Sequence, residues 1–514
     1  MKRARYYAGL VACAVWCVDQ TVLADVKLPN VIGSNMVLQR DLELPIWGTA
    51  DPGEKVTVTI AGQTVSGEAD ANGRWSVKLA RLKDEGPLEM TVKGKNEIKL
   101  INILVGEVWV GSGQSNMQWS VQQSTNAAAE IAAAKHPKIR LFLVPLVPSG
   151  TPAGDVNARW VECSPETIPG FSAVLFFFGR EIFQKVNVPV GLIATSWGGT
   201  RIEPWIPPAG FEAIPELKSE LDAVRGALKN YDQQLKAAIP ALKDWLAKAE
   251  TAMAASKDVP PVPNIPRHPL NSEGAATGLY NGMIHGIVPF GIRGSLWYQG
   301  ESNRGQKMHY HDLMKGLIAG WRQVWGQGDF QFLFVQLAPF NYGNDPNQEL
   351  AYIWEAQSTT LKVPNTGMAV ITDITTLNDI HPPNKQDVGK RLALWALSKT
   401  YGQKDVIYSG PLYDSMSDDL ERVVIKFKHG EGLKSRDDKP LTWFTIAGED
   451  KKFHNANAEI KGDTVLVSSP AVAKPVAVRF GWNQLAEPNL VNKAGLPASP
   501  FRTDTWSDAI PPSP

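Results

Sequence analysis

The chain has 514 residues, of which 52 are basic and 52 are acidic, so its formal net charge is zero. This balance excludes a non-specific nucleic-acid-binding protein, which needs a basic excess or a basic patch to neutralise phosphates. The hydrophobic fraction of 43% and the charged fraction of 20% exclude global disorder, and a chain of this length predicts about two to four globular domains.

The first residues of the chain predict a secretory signal peptide, residues 1–24. A basic group at residues 2–5 precedes an apolar stretch at residues 6–18, and Val22-Leu23-Ala24 has the small or apolar residues that a signal peptidase recognises. The alternative is a membrane anchor, but the apolar stretch is shorter than the roughly 20 residues that cross a bilayer. Cleavage after Ala24 predicts a periplasmic or secreted protein without membrane contact.

Removal of that segment would change the charge and the cysteine content. Loss of three basic residues and Asp19 would leave a net charge of −2, which strengthens the argument against a nucleic-acid partner. Cys13 and Cys17 would leave with the signal peptide, so Cys163 would remain alone. We therefore expect no disulfide in the mature chain, whose stability must come from a hydrophobic core.

The remaining chain divides into β, α/β and β segments. From residue 25 to 102, short alternating runs such as KVTVTI and RWSVKL between turns predict a β-rich domain resembling a small sandwich. From residue 103 to 402, apolar strands such as EVWVGS and VGLIATS alternate with amphipathic helices, which predicts a parallel sheet covered by helices on both faces. From residue 403 to 514 the β pattern returns, and the sequence leaves open whether the two β segments pack together.

A helical insertion interrupts the α/β segment at residues 211–258. Its charged, Ala- and Leu-rich sequence predicts a helical hairpin broken near Ile239-Pro240, and a Pro-rich stretch follows at residues 259–269. The insertion is interpreted as a surface elaboration, with a lid or subsite wall as the alternative.

Four polar motifs follow predicted strands of the α/β segment. Because ligands bind beyond the carboxyl ends of the strands in open α/β sheets, we expect the four motifs to share one site. They are Gly111–Met117, Ser196–Arg201, Trp297–Asn303 and Asn378–Pro382.

The residue types in these motifs are those of acyl transfer through a serine ester. Ser115 lies in a Gly-rich turn, which suits an exposed nucleophile, although a capped turn is the alternative. The glycines Gly198 and Gly199 can donate backbone N–H groups to a developing oxyanion, and Gln299 can donate a side-chain N–H. His381 is the best candidate general base. The other histidines lack zinc-ligand spacing, so no metal or cofactor is expected.

As a set, the stretches GQSNM, SWGGTRIEPW, WYQGESN and DIHPPNKQDVGKRLA resemble the SGNH-hydrolase superfamily and, within it, the sialate O-acetylesterase-like carbohydrate esterases. The resemblance implies a flavodoxin-like three-layer sandwich flanked by β-sandwich or jelly-roll-like segments, and removal of acetyl groups from sugar hydroxyls. It also implies Ser115 as nucleophile, His381 as base, and an oxyanion hole built from the Ser115 N–H group and that of Gly199 or Gly198. Gln299 stands where many SGNH enzymes carry an asparagine donor.

The sequence departs from that superfamily at the acid that orients the histidine. The superfamily pattern has an aspartate three residues before the histidine, where this chain has Asn378, and Asp379 lies two before. Asp379 is the first candidate for the orienting acid and Glu301 the second. Asp373 and a Ser–His pair without an acid are the remaining alternatives.

Several residues beside the motifs are candidates for binding the sugar. Tryptophan faces stack on sugar rings, although core packing is the alternative for each tryptophan, and the polar side chains could bond hydroxyls. The candidates are Trp119, Trp197, Arg201, Trp297, Glu301 and Asn303.

The expected partner is an acetylated carbohydrate, and the tryptophans favour a plant polysaccharide such as xyloglucan or xylan. Acetylated sialic acid is the alternative substrate. A non-catalytic carbohydrate-binding protein is an alternative of another class, which would leave the four motifs without a role. The sequence does not predict the oligomeric state.

Overall fold

A computed structural model of the protein describes residues 25–345, 348–419 and 421–506. The predicted signal peptide at residues 1–24 lies outside the described residues. The N-terminal strands are β1 (Val37–Gln39), β2 (Leu44–Thr49), β3 (Lys55–Ile60), β4 (Gln63–Glu68), β5 (Arg74–Leu79), β6 (Leu88–Lys93) and β7 (Glu97–Gly113).

The N-terminal strands form a sandwich that is continuous with the rest of the protein. Strands β3 and β5 alternate between exposed and buried residues, so one face of each packs inward. Strand β2 pairs with β5, while β4, β3, β6 and the first part of β7 form the second sheet. Strand β7 then continues for 17 residues into the central sheet, so the predicted boundary after residue 102 falls inside a strand.

The central sheet has the order β13-β12-β11-β7-β10-β8-β9. All neighbours in it are parallel except β9, which runs antiparallel to β8 at one edge. Every residue of β10, β11 and β12 is buried, as expected for strands covered on both faces. The strands are β8 (His136–Leu143), β9 (Trp160–Cys163), β10 (Val190–Ala194), β11 (Gly294–Tyr298), β12 (Gln331–Val335) and β13 (Thr366–Ala369).

Helices cover both faces of this sheet. Helix α3 packs on α8, and α6 packs on α4 and α7; the right-handed crossover rule puts these two groups on opposite faces. The predicted α/β sandwich is thus confirmed. The α-helices are α1 (Ser115–Gln118), α2 (Ala127–Ala133), α3 (Ala173–Val186), α4 (Pro208–Ala213), α5 (Lys218–Ala254), α6 (His309–Trp325), α7 (Glu349–Thr360) and α8 (Lys385–Lys399). Short 3₁₀ turns lie at Val121–Gln123, Glu203–Trp205, Pro215–Leu217, His285–Ile287 and Glu301–Gln306, and a π turn at Tyr280–Ile284.

The prediction of a helical hairpin in the insertion is wrong. Helix α5 runs for 37 residues through Pro240 and buries only Leu221 and Ala249. An interior proline costs a helix about 3 kcal/mol, but the Ala-, Leu- and Lys-rich flanks are strong helix formers. The Pro-rich stretch packs back along the helix, where Trp245 Nε1 donates to the Pro260 carbonyl (2.8 Å). Within the described ranges, no helix has the length and apolar character that a membrane crossing requires.

The C-terminal strands form a second sandwich with a core of its own. One four-stranded sheet has the order β14-β15-β20-β19 and the other β18-β17-β21-β23, while β16 pairs with β22. The N-terminal strands instead share the core of the central sheet, so the two β segments have separate cores. The strands are β14 (Leu412–Asp419), β15 (Arg422–Lys428), β16 (Lys434–Ser435), β17 (Phe444–Ala447), β18 (His454–Asn455), β19 (Asn457–Lys461), β20 (Thr464–Ser468), β21 (Ala477–Phe480), β22 (Leu490–Val491) and β23 (Phe501–Arg502).

Candidate active site

The four polar motifs lie at the edge of the central sheet where its parallel strands end. Ser115 follows β7, Gly199 follows β10 and Gln299 follows β11. His381 lies in the segment between β13 and α8. The chain leaves β7 towards β8 on one side and leaves β11 towards β12 on the other. The site therefore occupies the topological switch point at which open α/β sheets bind ligands.

A glycine brings the Ser115 turn against the neighbouring strand. Gly113 has a φ of +139°, and a Cβ atom there would lie 2.2 Å from the Tyr298 carbonyl oxygen. The next residue, Gln114, donates its backbone N–H to that carbonyl (3.0 Å). Ser115 then begins helix α1. Because the first N–H groups of a helix have no intrahelical acceptor, the Ser115 N–H is available beside its own hydroxyl.

The structure brings together the residues predicted as nucleophile and base. His381 Nε2 lies 2.8 Å from Ser115 Oγ. The imidazole stacks on the Trp119 indole, with ring centroids 4.7 Å apart and an interplanar angle of 15°. Burial, followed by the positive charge of Lys385, lowers the pKa of His381 below its usual value, while Asp379 opposes that shift. A neutral imidazole in this position can accept the serine proton.

Asp379 is the acid nearest to His381, but the two side chains do not form a hydrogen bond. Its Oδ1 lies 3.7 Å from His381 Nδ1 and accepts the His381 backbone N–H at 2.9 Å. The second candidate, Glu301, accepts from Asn116 Nδ2 instead (2.7 Å). Asp373 is held in a bidentate pair with Arg391. Of the candidate acids among the described residues, only Asp379 has a carboxylate oxygen within 4 Å of a His381 ring nitrogen.

Replacement of Asp379 by asparagine is expected to lower kcat by less than about tenfold. The aspartate side chain is 58% exposed, and an exposed ion pair is worth about 0.2–1 kcal/mol, which is less than the 1.4 kcal/mol of a tenfold change. The asparagine can still accept the His381 backbone N–H. Steady-state hydrolysis of 4-nitrophenyl acetate measures the effect. A loss as large as that of a His381 variant would contradict this weak role.

The backbone donors near Ser115 fit an oxyanion hole. The Gly198 N–H is already donated to Gln118 Oε1 (2.7 Å), whereas no acceptor among the described residues contacts the Gly199 N–H. Ser302 Oγ donates to the Gly199 carbonyl (3.1 Å), which fixes the orientation of that glycine. Gly199 has a φ of +76°, and no atom lies within 4 Å of the position that a Cβ would take there. Gly199 and Ser115 therefore offer two free N–H groups at the site.

Gln299 does not point into the site, which contradicts its prediction as an oxyanion donor. The side chain is fully buried. Its Nε2 donates to Gln114 Oε1 (3.1 Å), the Thr200 carbonyl (3.2 Å) and Asn303 Oδ1 (2.7 Å). Its Oε1 accepts from the Tyr310 hydroxyl (2.8 Å). With every polar group engaged, Gln299 is a support that holds the motif loops together.

Two of the predicted sugar-binding residues are also buried in the scaffold. Trp297 is 0% exposed and packs between Trp205 and Trp321. Asn303 is 1% exposed and donates to Glu203 Oε2 (2.9 Å). Neither can touch a sugar, so the predictions for these two residues are wrong. The strand GSLWY is buried on both faces, which explains why its tryptophan belongs to the core.

The remaining sugar-binding candidates differ in what they can offer a substrate. Trp119 and Trp197 are half-buried, and Trp119 lies directly against His381. Arg201 is 48% exposed but pairs with Glu203 (2.6 Å). Glu301 has an Oε2 atom that is shielded from solvent and unpartnered among the described residues. Trp119 and Trp197 are therefore the aromatic faces that remain available at this site.

The other histidines near the α/β core have structural partners. His309 Nε2 contacts Glu220 (2.6 Å), His311 Nδ1 contacts Thr360 Oγ1 (2.9 Å) and His285 Nδ1 contacts the carbonyl of Ala153 (2.7 Å). In the part of the chain that the structure describes, no three His, Cys, Asp or Glu side chains are arranged to hold a metal ion.

Sequence reasoning missed two buried residues beneath the site, Asn116 and Lys385. Asn116 is 1% exposed and Lys385 is 0% exposed, and Lys385 Nζ donates to Asn116 Oδ1 (2.5 Å). One signal was present in the sequence. Lys385 begins helix α8, where the positive end of the helix dipole disfavours a cation. The lysine at this position therefore does not serve to stabilise the helix.

Comparison with known proteins identifies the family. Residues 272–398 match the profile described as a carbohydrate esterase, sialic acid-specific acetylesterase. The sialate O-acetylesterase of Rattus norvegicus is 30% identical over 427 residues, which cover 75% of this chain and 76% of the rat protein. The chain belongs to the sialate O-acetylesterase family of carbohydrate esterases.

A further curated relative and a solved structure are similar to this chain. The Homo sapiens sialate O-acetylesterase is 29% identical over 443 residues, which cover 79% of this chain and 76% of the human protein. The crystal structure of a carbohydrate acetylesterase from Xanthomonas citri is 35% identical, with a TM-score of 0.80, and the match covers 94% of this chain and 100% of that one. The protein is therefore an O-acetylesterase, a carboxylic ester hydrolase. This excludes the alternative prediction of a non-catalytic carbohydrate-binding protein.

Proposed function

We propose that this O-acetylesterase acts through an acetyl ester formed on Ser115, with His381 as general base and then general acid. The observation that carries this assignment is the 2.8 Å contact between Ser115 Oγ and His381 Nε2. The lowered pKa of His381 supports it, because the imidazole is then neutral at neutral pH and can accept a proton.

The chemistry follows from these positions. His381 Nε2 removes the Ser115 hydroxyl proton as Oγ attacks the acetyl carbonyl carbon. The negative charge that develops on the carbonyl oxygen accepts the N–H groups of Ser115 and Gly199. His381 returns the proton to the sugar oxygen, and the sugar leaves with a free hydroxyl. Water then attacks the acetyl ester by the same route and releases acetate.

We propose a neutral acetylated plant polysaccharide, xyloglucan or xylan, as the source of the substrate. The basic residues in the second motif and just after the third motif already have partners. Arg201 pairs with Glu203 (2.6 Å) and Arg304 with Glu349 (2.9 Å), while Lys307 Nζ lies 4.9 Å from the ring centre of Tyr352. The carboxylate of a sialic acid would have to compete with such pairs. A neutral sugar needs only hydroxyl partners and an aromatic face such as Trp119.

Acetylated sialic acid is the second candidate, supported by the names of the matched family profile and of the mammalian relatives. Arg201 favours it structurally, because its guanidinium is half-exposed and could exchange Glu203 for a substrate carboxylate. Hydrolysis of acetylated sialic acid should therefore depend on Arg201, whereas hydrolysis of a neutral polysaccharide should not.

An acetate-release screen distinguishes these substrates. We expect acetylated xyloglucan or xylan oligosaccharides to be hydrolysed with a higher kcat/KM than acetylated sialic acid, and Arg201→Gln to change that order little. A preference for sialic acid that is lost in Arg201→Gln would overturn the polysaccharide proposal. The exposed Lys390 on α8 provides a matched control for charge loss, as Lys390→Gln.

We also propose that residues 1–24 export the protein to the periplasm or beyond. The basic and apolar order of these residues supports export. A substrate that originates outside the cell is consistent with the same destination.

A further inference from the structure

A buried lysine lies beneath the Ser115–His381 pair and has no role in the steps above. Lys385 is 0% exposed. Its Nζ lies 5.1 Å from the ring centre of Tyr298 and 6.0 Å from that of Trp119. No carboxylate of the described residues lies within ion-pair distance of Nζ, and its hydrogen bond goes to Asn116 Oδ1 (2.5 Å). Burial of an ammonium without a directly paired carboxylate lowers the stability of the folded protein. The presence of Lys385 at this position therefore calls for a functional reason.

The partner of that lysine connects the two catalytic loops. Asn116 follows Ser115 in the chain, and its Nδ2 donates to the carbonyl of Ile380 (3.0 Å), the residue before His381. The same Nδ2 donates to Glu301 Oε1 (2.7 Å). An asparagine amide can present its oxygen or its nitrogen in a given direction. A cation on the Oδ1 side forces Nδ2 to face the Ile380 carbonyl.

We propose that Lys385 is a positioning residue of the esterase: by fixing the amide of Asn116 it holds the Ser115 loop and the His381 loop at hydrogen-bonding distance. This inference rests on the proposed roles of Ser115 and His381. It adds Lys385 and Asn116 to the machinery without giving either a contact with the substrate.

The charge of Lys385 acts on His381 in addition to the hydrogen bond. Burial lowers the pKa of Lys385 to about 7, against the opposing charges of Glu301 and Asp379. Below that pH the ammonium disfavours a second positive charge on His381, which is one cause of the lowered pKa of His381. The charged groups that bear on the imidazole are thus Lys385 from α8 and Asp379 from its own loop. Glu301 faces Lys385 from the loop after β11, and the hydroxyl of Tyr298 stays neutral because burial raises its pKa.

The test is the pH profile of kcat/KM for Lys385→Met, which removes the donor and the charge but keeps a long side chain. The loss of positioning is expected to lower the plateau by about 10- to 100-fold. The acid limb reports the pKa of His381 in the free enzyme. Because a positive charge is removed, that pKa rises, and the limb moves to higher pH by roughly one unit.

Two further variants separate the two effects. Asn116→Leu cuts the connection but keeps the lysine, so the plateau falls with a smaller movement of the acid limb. Lys385→Gln keeps a hydrogen-bond donor but lacks the charge. Its plateau should therefore be higher than that of Lys385→Met, while its acid limb stays at the higher pH. If Lys385→Met does not fold, Asn116→Leu and Lys385→Gln together decide the question. Lys390→Met, an exposed lysine on the same helix, is expected to leave both features unchanged.

The outcomes distinguish this inference from the assignment on which it rests. If Ser115→Ala keeps its turnover, the proposed catalytic pair is wrong. If Ser115→Ala is inactive while folded Lys385→Met has the wild-type plateau and acid limb, only the positioning proposal is overturned. A lower plateau with an unmoved limb in both lysine variants would also overturn it, because that result indicates a merely structural role.

Discussion

Ser115→Ala is expected to lower kcat for acetate release by roughly 10⁴- to 10⁶-fold, the loss seen when a serine nucleophile is removed from a hydrolase. The alanine leaves the backbone N–H groups in place but provides no oxygen for the acetyl ester. His381→Ala should cost a similar factor, because the hydroxyl 2.8 Å from Nε2 then has no proton acceptor. Hydrolysis of 4-nitrophenyl acetate and release of acetate from an acetylated oligosaccharide both measure the loss.

The double variant provides the sharper test. Residues that act as one unit give losses that do not add, so Ser115→Ala combined with His381→Ala should be no worse than either single variant. Ser76→Ala, an exposed serine on β5, serves as the control and should be fully active. Unchanged turnover in Ser115→Ala, or two single losses that multiply in the double variant, would disprove the proposed pair.

Trp297→Ala is expected to lower the free energy of unfolding by about 3–5 kcal/mol, the cost of deleting a fully buried tryptophan. The indole fills the space between Trp205 and Trp321, with ring centres 6.2 and 6.5 Å away. Its Nε1 also donates to the Tyr310 hydroxyl (3.3 Å), which supports Gln299 in turn. Urea unfolding followed by circular dichroism measures the change.

Trp119→Ala is the matched comparison. Its half-buried ring stacks on His381, and an aromatic stack is worth about 0.5–1.5 kcal/mol. We therefore expect little loss of stability but a clear fall in kcat/KM. The reverse pattern, a stable Trp297→Ala with a raised KM for oligosaccharides, would restore Trp297 as a sugar-binding residue and refute its place in the core.

The sequence predicted the architecture well where burial alone decides the structure. Strands β10, β11 and β12 are covered on both faces and are therefore continuous apolar runs, which identify a parallel sheet. The continuity of α5 through Pro240 was beyond such reasoning. There the free-energy cost of one proline in a helix opposes the helix propensities of many neighbouring residues. The net free energy is a small difference between these two terms, which the sequence pattern does not reveal.

The candidate site was predictable in its reacting groups but not in its supports. Ser115 and His381 follow parallel strands of one sheet, so topology puts both at the same edge of the sheet, and the segment after β13 then carries His381 past β12 and β11 to Ser115. Gln299 also follows a strand, but its direction depends on Gln114 and the Thr200 carbonyl, which belong to the loops after β7 and β10. Lys385 was missed for the same reason, since only the fold brings it to Asn116.

The 17-residue strand β7 has a consequence for engineering. Its first half pairs with β6 in the N-terminal sandwich, and its second half lies between β10 and β11 just before Ser115. Excision of residues 25–102 would therefore cut the middle strand of the hydrolase sheet in two and remove β1, which pairs with residues 104–106. The N-terminal sandwich is not a detachable module on a linker. It is a rigid extension of the strand that carries the nucleophile, so a ligand held there would sit at a constant distance from the catalytic centre.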